Sequence, residues 1–116
     1  QPEFAEEIRR KMFTVEDIPA RVPRRAIAVV VRSLDQETLL KVLFTTKESA
    51  PETSEFILSN ISTRMADQLR EELGEITSVR RKEGEHAQTE IIRVIRELVA
   101  RGEIELLDED EREDES

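Results

Sequence analysis

Apolar residues in this chain recur at three- and four-residue spacing, in short runs punctuated by proline, glycine or a capping side chain. That pattern favours short packed helices over any sheet. Residues 2–12 predict a first helix, with Phe4, Ile8 and Met12 on one face. Pro19 and Pro23 then break the chain, and the residue before each is biased away from helix. Arg24 to Leu34 is ambiguous: Val29-Val30-Val31 favours a strand by β-branching, whereas Ile27, Val30, Val31 and Leu34 share one helical stripe. No second convincing strand is present to pair with it, so the segment is read as helix. Asp35 is placed as the N-cap of a helix through Leu39, Leu40, Val42 and Leu43. Ser49 and Glu52 have capping-box spacing with Pro51 allowed in the first turn, which predicts a helix over about 50–59. Ser62 caps the next helix, which reaches Leu73 with Gly74 as its stop. The longest helix runs from about Lys82 to Arg101 and ends at Gly102. Its apolar stripe is Ala87, Ile91, Ile95 and Leu98, flanked by Ile92, Val94 and Val99, with Glu97 and Arg101 paired on the wet side. About six such helices with short connections make a compact all-α domain.

Composition removes several classes of function. The 116 residues suffice for one domain with a modest core, since only 37% are apolar and 39% are charged. The absence of cysteine excludes disulfides, a thiol nucleophile and thiolate metal sites, and fits a reducing compartment. One histidine, His86, excludes a two-histidine zinc site and leaves no triad to assemble; it falls on the outer side of the last helix. Without tryptophan or tyrosine, and with only four phenylalanines, there is no platform for stacking nucleic-acid bases. No apolar run approaches the ~20 residues that cross a bilayer, and no signal peptide is visible. Enzyme is therefore the weakest class, and no metal or other cofactor is expected. The chain begins at Gln1 rather than methionine, as a piece of a longer protein would.

The net charge of −9 is unevenly placed. From Glu103 onward nine acids face one base, Arg112, which leaves the remainder near balance at −1. The acidic end is read as a disordered, self-repelling tail over 107–116. Binding of nucleic acid by a broad basic face is disfavoured.

The segment from Thr63 to Leu73 carries the most informative surface. At about 100° per residue, Met65, Leu69, Leu73 and Ile76 gather into an apolar stripe, while Arg64, Asp67 and Glu71 project oppositely and Arg70 and Glu75 flank them. Glu72 falls at the edge of the stripe, where partial cover and a partner such as Arg80 are expected. These charges either solvate a helix face or form a ridge that orients a charged partner. Phe44, turned from the Leu39 and Leu43 stripe, is either a second core contact or an exposed anchor.

Three stretches carry a family resemblance. Lys11-Met12-Phe13-Thr14-Val15-Glu16-Asp17 resembles the Met-Phe-x-Phe hinge motif of the flagellar motor switch family FliG, with Val15 in place of the second phenylalanine. Asn60-Ile61-Ser62-Thr63-Arg64-Met65-Ala66 is similar to the start of that family's charged helix. Ala87-Gln88, Ile91, Ile95-Arg96, Leu98 and Gly102-Glu103-Ile104 match its closing helix in an ungapped register. Each motif is weak alone; their order and spacing are specific.

The resemblance implies a right-handed superhelical, armadillo-like bundle of helices. It implies a linker helix over 1–11, a stator-interacting domain over 12–106 and the acidic tail beyond. It further implies a rotor protein at the cytoplasmic face of the inner membrane, in the flagellar basal body, where it self-associates in a ring beside FliM-type switch proteins. Charges on one helix would face the cytoplasmic loop of a MotA-type stator protein. Carried over residue by residue, those charges are Arg64, the acid pair Glu71 and Glu72, and Arg80. The upstream lysine falls on Lys47 counting back from Arg64, whereas counting forward from Leu39-Leu40 lands near Phe44, with a short insertion between them. Met12, Phe13 and Val15 would form a hinge for switching rotation sense; without the resemblance, Met12 and Phe13 are read as ordinary core residues. Two rivals stand beside this reading. One is a cation-sensing helical domain of an MgtE-type magnesium transporter, using carboxylates as oxygen ligands. The other is a generic helical adaptor anchored by Phe44 or by the Arg24 to Leu34 helix.

Overall fold

In this computed structural model, residues 13–107 are described, and among them there is no strand. Thr14 opens the fold by donating its amide to Asp17 Oδ2 at 2.9 Å, which shapes a 3-10 turn over Val15–Asp17. The first α-helix, α1, is Ile18–Arg21, with Pro19 in its first turn, where the missing N–H costs nothing. Pro19 therefore does not break the chain as expected: Ile18 before it is helical, at φ −55° and ψ −49°. Pro23 behaves as expected, for Val22 before it is extended. A second 3-10 turn, Arg24–Ala26, leads into α2, Ile27–Arg32. The ambiguous segment is thus helical, and Ile27, Val30 and Val31 are buried along the expected stripe.

Helix α3, Gln36–Ser49, is the hub, packing on α4 (Pro51–Ser59), α5 (Thr63–Glu75) and α6 (Arg81–Ala100). Asp35 occupies its N-cap with extended backbone, and the Thr38 hydroxyl holds the Asp35 carboxyl below the usual carboxylate range. The helix runs on to Ser49, with Thr45, Thr46 and Ser49 each donating a hydroxyl to the carbonyl four residues back, so that these polar side chains are satisfied within the helix. Ser49 is consequently the last residue of α3 rather than a cap. Ala50 takes the N-cap of α4, with Pro51 first in the helix.

Helix α5 begins as expected, with Ser62 Oγ accepting from the Met65 amide at 3.2 Å. It does not stop at Gly74. The helix continues to Glu75 and ends where Ile76 turns extended and tucks its half-buried side chain against the core. Helix α6 ends at Gly102, φ 76°, in a Schellman motif. The Gly102 amide donates to the Val99 carbonyl at 3.0 Å and the Glu103 amide to that of Leu98 at 2.9 Å. Buried Ile104 follows, and the Leu107 amide donates to the Arg21 carbonyl at 2.7 Å while Arg21 Nε donates back to the Leu107 carbonyl.

The interior is one cluster. Leu39, Val42 and Leu43 of α3 meet Ile57, Leu69, Ile91 and Ile95 from the surrounding helices, with Ile18, Ile27 and Val30 closing one end. Each such side chain contributes roughly 1.5–3 kcal/mol by leaving water. Thr46, fully buried, satisfies its hydroxyl on the Val42 carbonyl at 2.7 Å.

Candidate functional site

Burial sorts the residues of α5 cleanly. Ala66, Leu69 and Leu73 are buried and Met65 is half-buried, so this stripe faces α3 and α4. Arg64, Asp67, Arg70, Glu71 and Glu75 are exposed on the other side, as the helical angles require. The sequence reading missed only Ala66, whose small side chain carries little hydrophobic signal.

The margins of the exposed face are tied to neighbouring helices. On one flank Arg70 donates to Glu55 Oε2 of α4 at 3.3 Å. On the other flank Glu72 is half-buried, as expected, but its partner is not Arg80. Gln36 Nε2, at the first position of α3, reaches both Glu72 oxygens at 2.9 and 2.8 Å. Arg80 is instead the exposed N-cap residue of α6. Between these ties, Arg64 and Glu71 make no ion pair among the described residues.

The order of charge along α5 also runs against its own dipole. Arg64 stands in the first turn, where a helix favours anions, while Glu71, Glu72 and Glu75 crowd the end that favours cations. Each misplaced charge forfeits about 0.3–1 kcal/mol. Helix α6 is mixed in this respect: Glu83 lies in its first turn, but so do Arg81 and Lys82 beside the N-cap Arg80, and only the C-cap Arg101 favours its other end. Its exposed charges also pair along the helix. Arg93 reaches Glu90 at 2.8 Å and Glu97 at 2.7 Å, and Arg101 reaches Glu97 at 2.5 Å. Hydrogen bonding to Arg93 holds the Glu90 carboxyl below the usual range and raises the Arg93 guanidinium. The exposed charges of α6 thus pair along their own helix, whereas Arg64 and Glu71 of α5 make no ion pair among the described residues.

The remaining expected residues are dispersed. Lys47, in the last turn of α3, is exposed, with its ammonium 5.1 Å from the centre of the Phe44 ring. Phe44 is half-buried against the core, so it is a core contact with one covered edge rather than a free anchor. Val15 is buried, and its carbonyl accepts from Thr53 Oγ1 of α4 at 2.8 Å. Phe13, half-buried, lines an open groove with Val15, Gln88, Thr89 and Ile92. Met12 and the expected helix over 2–12 lie outside the described residues, as does the acidic run 108–116. His86 is exposed.

Fold and surface together define a class: a small all-helical domain presenting a row of exposed charges along one capped helix. The chain belongs to the FliG C-terminal domain family, whose profile matches residues 1–106. It is 43% identical over 103 residues to the flagellar motor switch protein FliG of Thermotoga maritima, covering 89% of this chain and 30% of that protein. Against FliG of Bacillus subtilis the identity is 38% over 103 residues, covering 89% and 29%. The fold is similar to a crystal structure of FliG from H. pylori, with TM-score 0.74 and 30% identity over 90% of this chain and 47% of that one. Full-length FliG from Aquifex aeolicus gives TM-score 0.69 and 32% identity over 88% and 30%. The chain spans about three-tenths of the length of these curated relatives.

The magnesium-transporter alternative finds no support, because the family matched is FliG. No three histidine, aspartate or glutamate side chains converge as a metal site among the described residues. The adaptor alternative loses its helical anchor, because Ile27, Val30 and Val31 are packed in the core. No helix among the described residues is long and apolar enough to cross a membrane.

Proposed function

We propose that this domain is the part of a flagellar rotor protein that receives force from the stator through the exposed face of α5. One observation carries the reading: Arg64 and Glu71 sit on an ordered, capped helix, in positions unfavourable to that helix, with no ion pair among the described residues. Charges that do not serve their own helix are suited to serve a partner, where they set orientation and encounter rate.

The partner is a charged cytoplasmic loop of a MotA-type stator protein, met at the cytoplasmic face of the inner membrane in the basal body. Lys47 and Arg80, both exposed, are read as further stator-facing charges on other helices. Glu72, the second acid of the expected pair, keeps its charge beside Glu71 while accepting from Gln36. Each exposed ion pair contributes on the order of 0–1 kcal/mol, weak enough to form and release at every step. Met12, Phe13 and Val15 serve as the hinge by which the domain changes its docking for the opposite rotation sense. Neighbouring FliM-type proteins and further copies in a ring complete the assembly. No chemistry and no cofactor is required.

The test is charge reversal in the full-length protein in motile cells. Arg64→Glu and Glu71→Lys are expected to reduce rotation speed, and a reciprocal reversal in the stator loop to restore it. Because both changes relieve the conflict with the α5 dipole, the melting temperature of the domain should hold or rise. Normal rotation with both residues reversed would refute the reading.

A further inference from the structure

Between Asp17 and Asp35 lie seventeen residues without an acid, the longest such stretch in a chain that holds 27 acids. Its four basic side chains, Arg21, Arg24, Arg25 and Arg32, give it a charge of +4. Arg24, Arg25 and Arg32 are exposed and make no ion pair among the described residues. The acids around them do not cancel this edge. Asp17 accepts from the Thr14 amide at 2.9 Å, and Glu103 turns to Arg101 at 3.6 Å. Glu105 lines one open cleft with Arg25 but forms no ion pair with it, and Glu16 is exposed in the turn before.

The opposite imbalance begins at the same place. Residues 108–116 hold seven acids against one base, Arg112. They continue from Leu107, whose amide donates to the Arg21 carbonyl at 2.7 Å and whose carbonyl accepts from Arg21 Nε. Arg24 and Arg25 follow Arg21 by three and four residues, at most about 14 Å of chain. The nine residues of the acidic run can extend to about 30 Å, so reach is ample.

We infer that the run 108–116 lies against the arginine edge at Arg24 and Arg25, with Arg32 beyond them, as a counter-ion built into the chain. Attachment at Leu107 holds its carboxylates at a local concentration on the order of millimolar. Each exposed ion pair is weak, but several carboxylates near several guanidiniums act together without needing one fixed register. The other basic runs are already offset by their neighbours in sequence. Glu6 and Glu7 precede Arg9-Arg10-Lys11, and Glu83 and Glu85 follow Arg80-Arg81-Lys82, with Arg81 paired to Glu85 at 3.3 Å. Any anionic partner of the arginine edge would first have to displace this run. The contact is independent of α5 and of what that helix meets.

The chain has no cysteine, so Ser116→Cys carries a single nitroxide label. At low ionic strength the amide NMR signals of Arg24, Arg25 and Ala26 should lose at least half their intensity. They should recover in about 0.5 M sodium chloride, where charges are screened beyond a few Å. They should also recover in the Arg24→Gln, Arg25→Gln double variant, whose exposed substitutions leave the core untouched. Attachment at Leu107 alone would broaden the same amides regardless of salt and charge. Broadening that survives salt or the double variant, or that falls most strongly on Arg80 to Lys82, overturns the proposal. So does an absence of broadening; if phosphatidylglycerol vesicles then shift the Arg24 and Arg25 amides, the edge belongs to a lipid surface instead.

Discussion

Replacing Gly84 with alanine should destabilise the domain, although alanine is the better helix former. Gly84 lies in the first turns of α6, buried where that helix crosses α3. A Cβ built there would sit 2.7 Å from Thr45 Cγ2, far inside van der Waals contact. Thr45 cannot easily turn away. Its hydroxyl donates to the Lys41 carbonyl at 2.9 Å and accepts from Gln88 Nε2 at 2.9 Å, so a new rotamer would break a bond on each side. Forcing a methyl into such a contact costs typically 1–3 kcal/mol. Losing the Thr45 bonds adds about 1 kcal/mol, and the gain in helix propensity returns about 1 kcal/mol. The net expectation is a loss of about 1–3 kcal/mol, or roughly 5 °C or more in melting temperature for a domain of this size. Urea and thermal denaturation followed by circular dichroism measure it directly. The mechanism has its own control: Thr45→Ser removes Cγ2 but keeps the hydroxyl, so adding it to Gly84→Ala should restore most of the lost stability. A Gly84→Ala variant as stable as the parent, or a double variant no better than the single one, would refute this account of the crossing.

Leu69→Asp puts an unpaired charge at a site 1% exposed and should cost about 4 kcal/mol or more, seen as a lost or strongly lowered melting transition. Leu69→Ala should cost 2–5 kcal/mol and still fold on cooling, so an unaltered melt for either variant would contradict the facing of α5. Gly102→Ala forces a side chain into φ 76° at the Schellman turn and should cost about 1 kcal/mol; equal stability would mean the turn relaxes freely. The Glu90 carboxyl titrates below its ordinary 4.5 because Arg93 binds the ionised form. The stability it lends is therefore present above that pH and lost as pH falls through the folded-state value. Arg93→Gln should make the acid side of the stability profile shallower, and superimposable profiles would exclude the linkage.

The helical period made the core legible before any coordinates. Leu39, Leu43, Leu69, Ile91 and Ile95 all fall where their spacing puts them, because a stripe on a short helix has only one interior to face. Helix ends were less legible. Glycine stops a helix only where positive φ is needed, as at Gly102; Gly74 merely tolerates the helix, and burial of Ile76 sets the end. Ser49 has the right spacing for a cap, yet it is the last residue of the preceding helix and its hydroxyl bonds backward to the Thr45 carbonyl. The Gln36 to Glu72 bond spans 36 positions and carries no local signature, so sequence spacing alone points to a nearby arginine instead. Gly84 did leave a signal, since a lone glycine within a strong helical pattern often marks a close approach.

The pair of bonds between Arg21 and Leu107 joins residues 86 positions apart. Closing so long a loop carries a large entropic cost, so this latch is expected to shut only after the helices between have packed. It is half-buried at the margin of the apolar interior. A pull applied at Leu107 would open these two bonds before any load reached Ile104 and the core beneath it, so the domain has a place to yield without melting.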